Sequence, residues 1–401
     1  MKEIILSQRT GRIKPSPTLA ITAKAKALKA EGVDVVGFGA GEPDFDTPDF
    51  VKEAAIEALR AGKTKYTEGA GTPELRDALC QLYQKTEGLE YKRAESIISN
   101  GGKHALFNIF QAIINDGDEV IIPIPYWVSY PDMVMLAGGT PVFLNASEEK
   151  GFSFTADELE RLITPKTKAV VINSPSNPSG MVLPEALLVD ICKIAVRRNI
   201  MVVWDEIYKD VYYGQGRLRS LPALYPEARG NILLCGGLSK SFSMTGWRIG
   251  WTLGDERVIK AMSMIQDQST SNPVTFAQYG ALAAVKKGPE HIGPWLAAFR
   301  ERRDVLVEGF NNIPGARCLK PEGAFYVFPN ISGWFGKKWE GGTLASGADA
   351  ARYLLEKARV AVVPGDPFGS PANIRLSYAL STADVRKGMD RIRTAAAALI
   401  P

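Results

Sequence analysis

The stretch that decides the fold is AVVINSPSNPSGMVLPEALLVDICKIAVRRNIMVVWDEIY, residues 169–208. It opens on a short apolar run at 169–172, crosses a Pro- and Ser-rich loop, and enters a helix-like segment at 184–198. It closes on a second apolar run at 201–204. Neither run alternates apolar with polar residues. Such runs read as strands covered on both faces, the condition of a mostly parallel sheet. A strand, a crossover helix and a second strand form the repeating unit of an α/β layered domain.

The same pattern extends outward on both sides. Further strand-like runs lie at 96–99, 119–123, 140–144, 231–235 and 248–252, which makes seven. A helix-like segment at 103–114 follows the first of them. Upstream, helical patterns cover 18–30, closed by Gly32, then 49–61 and 72–85, the last with Pro73 and Glu74 in its first turn. Beyond residue 260 the character changes. Helical stretches at 258–268, 276–285 and 294–311 precede strand-like runs at 324–328, 360–363 and 374–377. A chain of 401 residues exceeds what a single core usually holds, about 250–300 residues. The expected organisation is a large α/β domain over 49–290, its seven-stranded sheet set between helices. A smaller α+β domain draws on both chain ends, residues 1–48 and 291–401.

Composition narrows the class of function. Hydrophobic residues are 45% and charged residues 23% of the chain, a soluble globular profile. The 48 basic and 44 acidic side chains give a net charge of +4, too balanced to point to nucleic acid or a membrane surface. Cys80, Cys192, Cys235 and Cys318 show no C-x-x-C spacing, so neither a zinc knuckle nor a redox pair is signalled. With only His104 and His291, a histidine-rich metal site is excluded, and no metal is expected. The opening MKEIILSQRTGRIKPSPT lacks the apolar centre of a signal peptide. No stretch approaches the ~20 apolar residues of a membrane span. A cytoplasmic protein is expected.

Open parallel sheets bind ligands beyond the carboxyl ends of their strands. The polar residues directly after the apolar runs are Gly101-Gly102-Lys103, Tyr126-Trp127, Asn177, Asp205 with Tyr208, and Lys240. One sheet would deliver all of them to one rim. Asp205 could be a helix N-cap, or a carboxylate that pairs with a protonated ring nitrogen. Tyr208 could share its face if a turn of helix begins there. Lys240 sits among glycines and small hydroxyl residues in GGLSKSFSMTGWRIG. Desolvation and nearby cations would turn such a lysine into a Schiff-base nucleophile. Arg248 could be one of those cations and could bind phosphate bidentately. Gly101-Gly102 opens a helix, whose free amides suit a phosphate, although most such pairs are merely tight turns. Gly37-Phe-Gly-Ala-Gly is no dinucleotide fingerprint, because Glu42 stands where a third glycine belongs. Together the set offers an anion cradle, an acid for a pyridinium, a nucleophilic lysine, aromatic faces and a spare arginine, which pyridoxal phosphate needs.

Seven segments in order resemble the fold-type I aminotransferases, most of all the aspartate aminotransferase branch of bacteria and archaea. They are AGEPDFDTP (40–48), KYTEGAGTPELR (65–76), PYWVSYP (125–131), NSPSNPSG (173–180), DEIY (205–208), SKSFSMTGWRIG (239–250) and IRLSYA (374–379). The resemblance implies a role for each matching residue. Lys240 would hold pyridoxal 5′-phosphate and shuttle the substrate proton, and Asp205 would keep the ring nitrogen protonated. Tyr208 and Asn177 would bond the phenolic oxygen, and Trp127 would stack on the ring. Gly101, the Gly102 and Lys103 amides and Arg248 would hold the phosphate. Tyr66 would reach that phosphate from a neighbouring subunit, which implies a homodimer. Arg375 would clamp the substrate α-carboxylate with Asn177 and the Gly41 amide, and the Asn177-Pro178 bond would be cis. Lys14 and Lys103 would face the distal carboxylate of a dicarboxylic substrate. NPSG replaces the commoner NPTG, and Gly236-Gly237 stands where related sequences often carry Asn-Gly.

The resemblance therefore implies ping-pong transamination. Aspartate, or also glutamate, would be the donor; 2-oxoglutarate, oxaloacetate or also prephenate would be the acceptor. Aromatic or other neutral amino acids as substrates, and β-elimination as in a C–S lyase, would use the same Lys240, Asp205 and Arg375. A transcriptional sensor would need a DNA-binding module ahead of Thr18. A nicotinamide dehydrogenase would need the missing fingerprint. The plainer readings make Trp127 core filler, Arg375 a surface ion-pair residue, Tyr66 a turn cap, and Lys14 and Lys103 solvated lysines.

Overall fold

A computed structural model describes residues 4–13, 15 and 17–401. The expected role of Lys14 falls outside them. The strands are β1 (Val36–Gly37), β2 (Ser96–Asn100), β3 (Glu119–Ile124), β4 (Thr140–Asn145), β5 (Thr167–Asn173), β6 (Met201–Asp205), β7 (Ile232–Gly237) and β8 (Ile249–Leu253). Six short strands follow: β9 (Tyr326–Val327), β10 (Lys338–Trp339), β11 (Gly342–Thr343), β12 (Val360–Ala361), β13 (Val363–Pro364) and β14 (Ile374–Ser377).

All seven expected strands between residues 96 and 253 form one sheet in the order β2-β8-β7-β6-β5-β3-β4. Only β8 runs antiparallel to its neighbours. The period of two explains the near-continuous apolar runs. Ile172, Val202, Trp204 and Leu234 bury into one layer, while Val171, Val203, Leu233 and Cys235 bury into the other. Helices cover both faces, among them Pro73–Glu87 and Glu185–Arg198 on the first side and Gly102–Ile113 and Glu256–Ser269 on the second.

A second apolar core gathers Val36 and Phe38 from near the start of the chain, Tyr208 and Val211, and residues drawn from 292–399. Here β13, β14 and β9 make a three-stranded antiparallel sheet, and β1 pairs with β12. Two strand expectations need correction. The run at 360–363 is split between β12 and β13, which join different sheets, because Val362 breaks the pairing. The run at 324–328 pairs only over Tyr326–Val327, since Ala324 takes a positive φ of 55°. All four cysteines are buried and unpaired. Among the described residues no helix is long and apolar enough to cross a membrane.

Candidate active site

The carboxyl edge of the sheet gathers the expected residues. Asp205 ends β6, Lys240 follows β7, and Gly101 follows β2. Arg248 precedes β8, whose reversed direction puts its beginning on the same rim. Trp127 lies beyond β3 and Asn177 beyond β5. These residues surround a cavity of about 490 Å³, with the exception of Gly101, which borders it through Arg248. Gly41, Gly102, Lys103, Tyr208 and Arg375 line the same cavity. Tyr66 does not; it is 89% exposed on the outside of this chain.

At the cavity floor Asp205 is buried. Tyr130 Oη donates to its Oδ2 at 2.6 Å and the Ile207 amide to its Oδ1 at 3.1 Å. Burial pushes the Asp205 carboxyl up to about 6, against the pull of these two donors. Asp205 is the last residue of its strand rather than a helix cap, and the segment that follows is a turn, not a helix. Tyr208 nonetheless reaches the cavity and shares a hydrogen bond of 2.8 Å with Tyr326 Oη.

Lys240 Nζ donates to the Gly41 carbonyl and stands 5.8 Å from the Tyr208 ring and 5.7 Å from that of Phe325. Burial lowers its ammonium to about 8, and Arg375 and Arg248 push the same way. An amine so placed is available as a nucleophile near neutral pH. Glu42 also faces the cavity and accepts from Thr245 Oγ1 at 2.7 Å.

Arg375 is only 2% exposed, which rules out a surface ion pair. Its Nη1 donates to Asn177 Oδ1 and its Nη2 to the Gly39 carbonyl, each at 3.0 Å. Its Nε is buried without a partner among the described residues. Tyr326 and Phe368 stack beside the guanidinium at 4.6 and 5.1 Å. No carboxylate among the described residues lies at ion-pair distance from it. A buried, uncompensated guanidinium is costly, and an incoming anion relieves that cost.

Among the described residues Arg248 bonds only carbonyls, that of Thr245 at 2.8 Å and that of Asn100 at 3.3 Å. It flanks the start of the helix Gly102–Ile113, whose first amides have no intrahelical acceptor. Gly101 is required there. Its φ is +85°, and a Cβ would fall 2.6 Å from Arg248 Nη2. Lys103 is exposed, and its Nζ lies 5.1 Å over the Trp127 ring. Desolvation, then Arg248, holds it below the ordinary lysine range. The expected cis bond at Asn177-Pro178 is present, as are cis bonds at Ile124-Pro125 and Ser174-Pro175.

The Gly236-Gly237 departure has a packing cause. A Cβ on residue 236 would lie 2.5 Å from Trp251 Nε1, so the indole occupies the space a larger residue would need. Tyr130 and Tyr326, absent from the expected site, are part of it. Tyr130 stood within PYWVSYP, but nothing local tied it to Asp205. Tyr326 carried no motif at all.

The chain matches the family model described as aminotransferase class I and II over residues 33–392. It is 46% identical to the aspartate/prephenate aminotransferase of Cereibacter sphaeroides, over 98% of this chain and 99% of that protein. Among solved structures, the aspartate aminotransferase from Rhizobium meliloti superposes with a TM-score of 0.95 at 40% identity, covering 99% of this chain and 100% of that one. The aspartate aminotransferase from Thermus thermophilus with maleate gives 0.92 at 44% identity, covering 98% and 100%. A half-buried lysine, a buried acid and a buried arginine with no carboxylate at ion-pair distance among the described residues line one cavity, and in a chain with these relatives they lead to one assignment: the protein belongs to the class I and II aminotransferases.

Proposed function

We propose that the chain uses pyridoxal 5′-phosphate to move an amino group from aspartate to 2-oxoglutarate, and back from glutamate to oxaloacetate. The observation that carries this reading is the half-buried amine of Lys240 in one cavity with Asp205 and with Arg375, whose Nε has no partner among the described residues. The residues present suit the cofactor at each end. Gly101, the first amides of the helix Gly102–Ile113 and Arg248 suit its phosphate. Asp205 suits its ring nitrogen, Tyr208 and Asn177 its phenolic oxygen, and the Trp127 face its ring. When bound, the cofactor supplies an aldehyde and a ring that accepts electrons from the substrate Cα.

The chain's own residues do the rest. Arg375 and Asn177 orient the α-carboxylate beside the Gly41 amide. Lys240 Nζ removes the proton from the substrate Cα, a task suited to an amine with a lowered pKa. Asp205 holds a proton at the ring nitrogen. Lys103, beside Trp127, faces the distal carboxylate of a dicarboxylic substrate, and Lys14 is assigned the same task. The names of the Cereibacter and Thermus proteins, the latter with the dicarboxylate maleate, support this preference. They also make prephenate a further acceptor to assay.

Tyr66, exposed here, is assigned to the phosphate of a second copy, so the active form is a homodimer. Exposed Ile4, Ile5, Leu6 and Met264 fit a contact between copies. The functional division of the chain follows residues 1–48, 49–290 and 291–401, and a cytoplasmic location fits the acids it converts. The test is Lys240→Ala. It should abolish borohydride-stable attachment of the cofactor and reduce turnover by at least about a thousandfold. Near-normal turnover would overturn the assignment. A panel of donors against 2-oxoglutarate fixes the substrate, and equal rates with neutral and acidic donors would refute the aspartate preference.

A further inference from the structure

Asp205 and Glu206 are consecutive, and the strand-end period sends them to opposite faces of the sheet. Asp205 turns into the cavity. Glu206 turns into the other layer, where its side chain is 3% exposed. It accepts from Tyr83 Oη at 2.7 Å, Trp204 Nε1 at 2.8 Å and Ser220 Oγ at 2.7 Å. Tyr83 in turn accepts from Trp251 Nε1 at 3.2 Å, so the tyrosine proton is directed to Glu206. An indole can only donate, and this donor set suits an ionised carboxylate.

The nearest cation, Lys209, is 3.8 Å from Glu206 Oε1 but bonds Glu87 and Ser220. Glu87 and Glu206, both buried, thus share one ammonium. The cluster keeps a net negative charge directly behind Asp205. It also reaches three of the strands that carry the site. Glu206 follows Asp205, Trp251 lies three residues after Arg248, and Gly236, packed on Trp251, lies four before Lys240.

We propose that Glu206 is a positioning residue for the transamination site. From the far face of the sheet it fixes the backbone that carries Asp205, and its charge favours the proton on the ring nitrogen that Asp205 holds. This deepens the proposed function and rests on its assignment of Asp205. A buried carboxylate is strongly disfavoured unless its lone pairs are filled. Glu206 meets that condition with three donors, yet it touches no part of the cavity.

The test is a double-mutant cycle between Glu206→Gln and Asp205→Asn. Its readouts are the dissociation constant of pyridoxal phosphate, from tryptophan quenching, and the 15N resonance of ring-labelled cofactor. Gln can still accept from Trp204 and Ser220 while removing the charge. E206Q should weaken cofactor binding about tenfold and move the 15N resonance toward the unprotonated position. On the D205N background it should change neither. An unmoved resonance in E206Q, or an equal loss of affinity on both backgrounds, overturns the proposal. A resonance unmoved by D205N alone would instead overturn the assignment of Asp205. If E206Q does not fold, Tyr83→Phe replaces it in the same cycle. It should lower affinity severalfold only where Asp205 is present, and equal losses on both backgrounds overturn the proposal.

Discussion

Replacing Tyr130 with Phe removes the 2.6 Å hydrogen bond that its hydroxyl donates to Asp205 Oδ2, and leaves the ring in place. Both groups are buried. A hydrogen bond to a charged group contributes roughly 1.5–3 kcal/mol. At about 1.4 kcal/mol per pKa unit, that is roughly one to two units. The bond favours the ionised form, so its loss raises a carboxyl that burial already holds at about 6. In the cofactor-free chain the Asp205 midpoint should therefore move to roughly 7–8. Infrared titration reads it directly, as the carboxyl signal that disappears in Asp205→Asn.

Stability should follow with a defined sign. The folded value lies above the ordinary 3.8, so the contribution of Asp205 is full below that value and is lost as pH rises through the folded one. Tyr130→Phe extends the loss upward. Urea unfolding should show a deficit against wild type that is small at about pH 5 and reaches roughly 1.5–3 kcal/mol at about pH 8. A midpoint that stays put or falls, or a deficit equal at both pH values, would refute this account of the cavity floor.

Arg375→Lys keeps the charge but not the fork that spans Asn177 and Gly39. It should raise the KM for amino donors about 30- to 100-fold, roughly 2–3 kcal/mol, with kcat changed less; an unchanged KM would remove Arg375 from carboxylate binding. An amine captures an aldehyde only in its neutral form. The rate at which cofactor-free protein takes up pyridoxal phosphate should therefore rise with pH and level off above about 8; stopped-flow mixing that shows a flat profile would contradict a lowered ammonium. Gly101→Ala sets a Cβ against Arg248 in a left-handed backbone. A loss of roughly 1–3 kcal/mol in stability and weaker binding of inorganic phosphate are expected, from thermal unfolding and competition assays. Gly236→Asn collides with Trp251 and should cost roughly 1–3 kcal/mol, with partial rescue by Trp251→Ala; rescue that fails would point to a backbone rather than a packing origin.

The sheet was legible because its signal is local. Unbroken apolar runs such as 169–172 and 201–204 can be covered on both faces only inside a layered domain, and each ended within a residue or two of the observed strand. The rim was legible for the same reason, since a polar residue directly after such a run must emerge at the strand's carboxyl edge. Asp205, Gly101 and Lys240 follow from that rule, and Arg375 entered through a family resemblance. The rule failed where backbone direction changes without a sequence marker. At residues 360–363 one apolar run serves two sheets, and after Asp205 the chain turns instead of beginning a helix.

The pairings that tune the site belong to the tertiary structure alone. Tyr130 meets Asp205 across 75 residues, Tyr208 meets Tyr326 across 118, and Arg375 meets Asn177 across 198. The sequence states that each side chain can donate or accept. Which two come within 3 Å depends on how separate strands and loops pack, and no local period encodes that distance. The two carboxylates of DEIY make the same distinction. Strand periodicity already separates Asp205 from Glu206, but only the packed layers decide that one closes a cavity floor while the other is enclosed by Tyr83, Trp204 and Ser220.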